Sequence, residues 1–90
     1  MVNITHVRMS QNGSGHEHIA RVKWVEGGGG SVGENTWQEM VEWIDGGGVA
    51  VVRRPGVPEA RVGVVDAMPK YIQTYADGRW NNNLLSLPRF

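Results

Sequence analysis

Two sets of side chains in this chain have the chemistry to hold a phosphate-bearing ligand. One is basic, Arg21, Lys23, Arg53, Arg54 and Arg61; the other is aromatic, Tyr71, Tyr75 and Trp80. Guanidinium and ammonium groups bind phosphate oxygens through charge-assisted hydrogen bonds, and aromatic faces stack on a nucleobase. Arg21 and Lys23 stand two residues apart, so an extended segment would show both on one face, with Arg53, Arg54 and Arg61 supplied by neighbouring strands. A nucleotide or other phosphate ligand is therefore one partner the sequence allows. The competing reading makes the tyrosines half-buried strand residues and sets Trp80 beneath the final turn, closing the core.

Other chemistry is less well supported. His16-x-His18 would aim two imidazoles to one side of a strand, with His6, Glu17 and Glu26 nearby, the outline of a metal site. Without cysteine or a defined carboxylate partner, the three histidines read as ordinary hairpin residues, and no metal or other cofactor is assigned. Gly28-x-Gly30-x-x-Gly33 has the spacing of a dinucleotide-binding turn, but that turn needs an acidic ribose ligand roughly twenty residues on. Here Arg53-Arg54 follows instead, and Glu34-Asn35 stands where a phosphate-binding loop needs lysine and a hydroxyl. Ser10, Ser14, Ser31 and Ser86 lack a nucleophile context, and nothing pairs Asp66 with Asp77 for acid–base work. We expect a non-enzymatic protein.

Ninety residues suit one domain, 1–90, with a single modest core. Having no cysteine, the core must hold by packing or by oligomerisation, and a reducing, cytoplasmic setting is expected. No apolar run reaches the roughly 18 to 20 residues that span a bilayer, so no membrane partner is expected. Nine basic residues balance nine acidic ones, which disfavours a protein built to coat nucleic acid and leaves weak nucleic-acid binding as a third reading. Within that balance, Glu34, Glu39, Glu42 and Asp45 cluster around the helix, whereas most of the later charges are basic.

These residues need a scaffold. Val2 to Ser10 reads as a strand, and Gln11-Asn-Gly-Ser-Gly15 as a turn. Glu17 to Val25 alternates, which predicts a strand with one buried face; if the helix covers His18, Ala20, Val22 and Trp24, then Ile19, Arg21, Lys23 and Val25 show on the opposite face. Gly27 to Gly30 reads as a flexible connection. Thr36 followed by Glu39 has capping-box spacing, and Trp37, Met40, Val41 and Ile44 then recur on one helical face until Gly46-Gly-Gly48 stops the helix. Val49–Arg54, Ala60–Asp66 and Lys70–Tyr75 read as strands, followed by the turn signal Asp77-Gly78.

The expectation is an α+β fold, an antiparallel sheet of four to five strands with one helix on one face, in the order β-β-α-β-β-β. One short helix covers only part of such a sheet. A homo-oligomer, a dimer above all, or an unknown protein partner is expected on the remainder.

The phrase Lys70-Tyr-Ile-x-Thr-x-x-Asp-Gly78, followed by Asn82-Asn-Leu-Leu-x-Leu-Pro88, resembles the end of the domain-of-unknown-function family 3892, small proteins of bacteria and phages. The resemblance extends to Ile4-Thr5, His18-Ile19 and the helix around Glu39–Ile44. It implies a small stand-alone domain, with no reaction, cofactor or site residue attached.

Overall fold

The computed structural model describes residues 1–90, apart from the side chain of Val57. Its elements are β1 (Val2–Met9), β2 (Ile19–Glu26), β3 (Val32–Thr36), α1 (Trp37–Asp45), β4 (Ala50–Arg54), β5 (Val57–Val65), β6 (Tyr71–Ala76) and β7 (Arg79–Asn81), with 3-10 turns at His16–His18 and Leu84–Ser86. The α+β class and the single helix match the expectation. The sheet does not: it has seven strands in the order β3-β2-β1-β4-β5-β6-β7, so the chain runs β-β-β-α-β-β-β-β.

Both extra strands come from turns. The glycine run is no loose connection, because the Glu26 N–H donates to the Ser31 carbonyl at 2.7 Å and Gly29 takes a φ of +80°. That turn folds β3 back antiparallel on β2, from Val25 opposite Val32 to Arg21 opposite Thr36. At the other end, Asp77 and Gly78 have φ of 54° and 75°, the two positive angles of a type I′ hairpin, and lay β7 against β6.

The sheet is also not purely antiparallel. Helix α1 carries the chain from β3 past β2 and β1 to β4, which pairs parallel to β1 through Val2 with Ala50 and Asn3 with Val51. Beyond that short ladder the C-terminal tail takes the free side of β1. The Val7 N–H donates to the Pro88 carbonyl at 3.0 Å, and the Phe90 N–H returns to the Val7 carbonyl at 3.3 Å. The sheet coils strongly enough that the turn His16–His18, at the tip of the β1–β2 hairpin, lies against β6.

Register shifts in β1–β2, between Ile4 and His6 and between Arg8 and Met9, change which side chains face inward. The second places Ile19 opposite Met9 and buries it, while His18 sits exposed in the 3-10 turn. The expected grouping of His18 and Ala20 on one face with Val22 is therefore corrected: a bulge adds one residue and flips the side chains beyond it, so that Ile19 joins Val22 in the core. The core is formed by Ile4, Val7, Val22, Val52, Val62, Ile72 and Leu84, closed by Met40 and Val41 of α1. The helix begins as expected, since the Thr36 hydroxyl accepts from the Glu39 N–H and the Glu39 carboxylate accepts from the Thr36 N–H. Those bonds to the Thr36 amide and to the Asn35 and Thr36 side chains hold the Glu39 carboxyl below its ordinary pKa.

One fully buried polar side chain ties the last elements together. The Thr74 hydroxyl donates to Asn81 Oδ1 and accepts from the Leu84 N–H at 3.3 Å, while Asn81 Oδ1 also accepts from the Asn83 N–H at 3.0 Å. A methyl in place of this hydroxyl leaves the buried Leu84 N–H without its acceptor, which costs about 1 to 3 kcal/mol. Thr74→Val is therefore expected to lower the stability by about that amount, read by urea denaturation, although the side-chain shape is conserved.

His16 is buried, and its Nε2 has no partner among the described residues. Burial lowers its pKa and outweighs the pull of Glu17 in the other direction. A histidine depressed in the folded state is stabilising above its unfolded pKa, about 6.5, and loses that contribution as the pH falls toward the folded value. The unfolding midpoint is expected to drop on acidification below about pH 6.5, and His16→Leu is expected to flatten the first part of that drop.

Candidate functional site

β4 leaves β5 early, and the gap becomes a cleft. β5 pairs with β4 only as far as Arg61, whereas its pairing with β6 runs from Arg61 to Val65. Beside the released stretch runs the loop that ends α1, where the Gly48 N–H donates to the Trp43 carbonyl and Gly47 takes a φ of +105°. The cleft has a volume of about 560 Å³ and is lined by the end of α1 with Gly47 and Gly48, by Arg61–Val64, and by Tyr75 and Gly78–Trp80.

Strand register builds its wall. Arg61 lies opposite Tyr75 and Tyr75 opposite Trp80, so the three stand in a row across β5, β6 and β7 on one face of the sheet. The two rings meet edge to face, with centroids 5.5 Å apart. They rest on Gly63, where a Cβ would come within 2.8 Å of Tyr75 Cε1 and 3.3 Å of Trp80 Cη2. Trp80 nonetheless stays 51% exposed, so it does not close the core beneath the final turn.

The electrostatics are one-sided. Arg61 and Arg79 both line the cleft, and among the described residues neither pairs with a carboxylate. The only carboxylate in the lining, Asp45, faces Lys70 Nζ at 3.4 Å. Two guanidinium groups, a half-exposed indole and a glycine-lined main chain can together receive a planar group and an anion.

Of the residues singled out from the sequence, the structure thus brings together Arg61, Tyr75 and Trp80. The others lie elsewhere. Arg21 pairs with Glu34 across β2 and β3. Lys23 lies over the Phe90 ring, 4.6 Å from its centroid, and Arg8 stands over the same ring at the same distance. Arg53 pairs with Glu59, and Arg54 donates to the Ser86 carbonyl and hydroxyl, each at 3.0 Å. Tyr71 is half-buried opposite Val65 at the start of β6. The expected grouping of Arg21, Lys23, Arg53 and Arg54 with a last-strand aromatic is therefore corrected: Arg21 and Arg53 pair with carboxylates on neighbouring strands, while Lys23 and Arg54 meet the C-terminal segment at Phe90 and Ser86.

Arg79 and Gly63 went unrecognised in the sequence. Asp77-Gly78 carried the signal for Arg79, since a two-residue hairpin turn fixes which residues follow in register. Gly63 gave no such signal, because its importance lies in the rings that come to rest on it.

Together these features define a class: a small α+β protein with one coiled, mixed sheet, crossed by a single helix and opened beside the helix end by a basic, aromatic cleft. The family model described as Protein of unknown function (DUF3892) matches residues 3–88, and the chain belongs to that family. No curated protein and no solved structure matches it. No helix among the described residues is long and apolar enough to cross a membrane.

Proposed function

We propose that this protein captures a small anionic ligand with a planar ring, a nucleotide or a close chemical relative, in the cleft between the end of α1 and β5–β7. One observation carries the reading: Arg61 and Arg79 line the cleft with no carboxylate partner among the described residues, beside an indole left half exposed. A guanidinium in a cleft with a hydrophobic wall favours an anion, and an exposed indole over a glycine floor favours a flat ring. The volume falls within the roughly 300 to 1,000 Å³ of small-molecule sites. Phosphate oxygens would meet Arg61 and Arg79, while the ring would lie on Trp80 and Tyr75.

The test is a titration of tryptophan emission and of thermal stability with a panel of mono-, tri- and cyclic nucleotides. At least one nucleotide is expected to raise the melting temperature and quench emission, and Arg61→Ala with Arg79→Ala is expected to weaken it by about tenfold or more, since hydrogen bonds to charged groups contribute about 1.5 to 3 kcal/mol each. Arg21→Ala with Lys23→Ala should leave that affinity unchanged. A panel without effect, or equal binding by the first double variant, would sink the proposal.

A second reading, association of two copies, draws support from β3. It is an edge strand of five residues whose outer ladder has no partner in the sheet, and Val32 there is 75% exposed. Antiparallel addition of a second β3 would satisfy that edge and cover Val32. Native mass spectrometry is expected to show a dimer that Val32→Lys dissociates, and a monomer at high concentration would overturn this reading.

A further inference from the structure

A second recess, of about 260 Å³, lies between α1 and the first strands. It is chemically the reverse of the cleft. Its walls are Trp24 and Trp43, its floor is Val2 with the buried Met40, and its polar rim is Glu26, Glu39 and Asn35, with no basic residue in the lining.

Both indoles are held in place. The Trp24 ring covers Gly33 so closely that a Cβ there would collide with it, and its Nε1–H donates to Asn35 Oδ1 at 2.7 Å. The Trp43 ring covers Gly48 in the same way, while remaining 41% exposed. Rigid rings lose little entropy when a ligand arrives. The two carboxylates are equally poised. Among the described residues, all the hydrogen bonds to the Glu39 carboxylate fall on Oε1, which leaves Oε2 without a donor, and Glu26 has no ion-pair partner.

We propose that this recess binds a methylated ammonium group between Trp24 and Trp43, with Glu26 and Glu39 balancing its charge. The indole face is the strongest of the aromatic partners for a cation, and a methylated ammonium is large, weakly hydrated and apolar at its surface. The recess is too small for a nucleotide, and two carboxylates would repel one, so this site is independent of the cleft. The cation belongs either to a free small molecule or to a methylated lysine side chain, the head group being the same.

The indole N–H signals of the intact protein report the site directly. Choline is expected to shift those of Trp24 and Trp43 and leave that of Trp80 unmoved, whereas 3,3-dimethyl-1-butanol, the same shape without the charge, is expected to bind about tenfold more weakly or worse. Glu26→Gln should weaken choline severalfold at an exposed position that leaves the fold intact, and Trp43→Ala should abolish the response. A peptide carrying trimethyllysine that binds more tightly than choline supports the site and assigns it to a protein-borne cation; choline binding more tightly supports it and assigns a free one. Equal binding of the neutral analogue, or no response to choline up to on the order of 10 mM, overturns the proposal.

Discussion

The hydroxyl of Thr74, buried completely at the centre of β6, sets the terms for everything that follows it in the chain. A polar group in that position must be satisfied from within the protein, and Asn81 and the Leu84 N–H are the groups that reach it. To deliver them, the chain must turn tightly at Asp77-Gly78, run through β7 and dive inward at Asn83. Leu84 and Leu87 then enter the core, and the tail is left beside β1, whose free edge it covers. The phrase from Lys70 to Pro88, the most distinctive in the sequence, is thereby explained as structure: threonine, hairpin turn, asparagine ligand to the hydroxyl, and leucine anchors.

A second constraint recurs at each recess. Trp24 covers Gly33, Trp43 covers Gly48, and Tyr75 with Trp80 covers Gly63. A large ring needs a flat seat, and a residue without a Cβ provides one. Trp43 and Trp80 keep part of their rings accessible above these seats. The two recesses next to α1 differ in charge because the chain does: acidic residues gather around the helix and its preceding strand, whereas arginines populate the strands that follow.

How much of this was legible varies from element to element. The helix was, since Thr36 and Glu39 spell a cap and Met40, Val41 and Ile44 a stripe, both local patterns that the structure retains. β4, β5 and β6 were as well, within a few residues of their ends. β3 was not, because Val32-Gly-Glu-Asn-Thr36 has a single large apolar residue and lies at an edge, where pairing with β2 rather than burial holds it. The parallel β1–β4 pair and the bulge that buries Ile19 were equally hidden, each being a relation between distant segments.

The candidate site divides the same way. Arg61, Tyr75 and Trp80 were recognisable by type, yet nothing local distinguished Arg61 from Arg53 or Arg54, which are equally basic and lie on the same run of strands. What separates them is tertiary: Glu59 takes one, Ser86 takes the other, and β4 departs just where Arg61 needs space. By itself the sequence determined the family, the α+β class, the capped helix and the segregation of charge, because each is written in neighbouring residues. Only the folded chain decided the seven-stranded order, the pairing across distant segments, and which charged groups stay free to bind, because these depend on residues far apart in sequence that meet only once the sheet has formed.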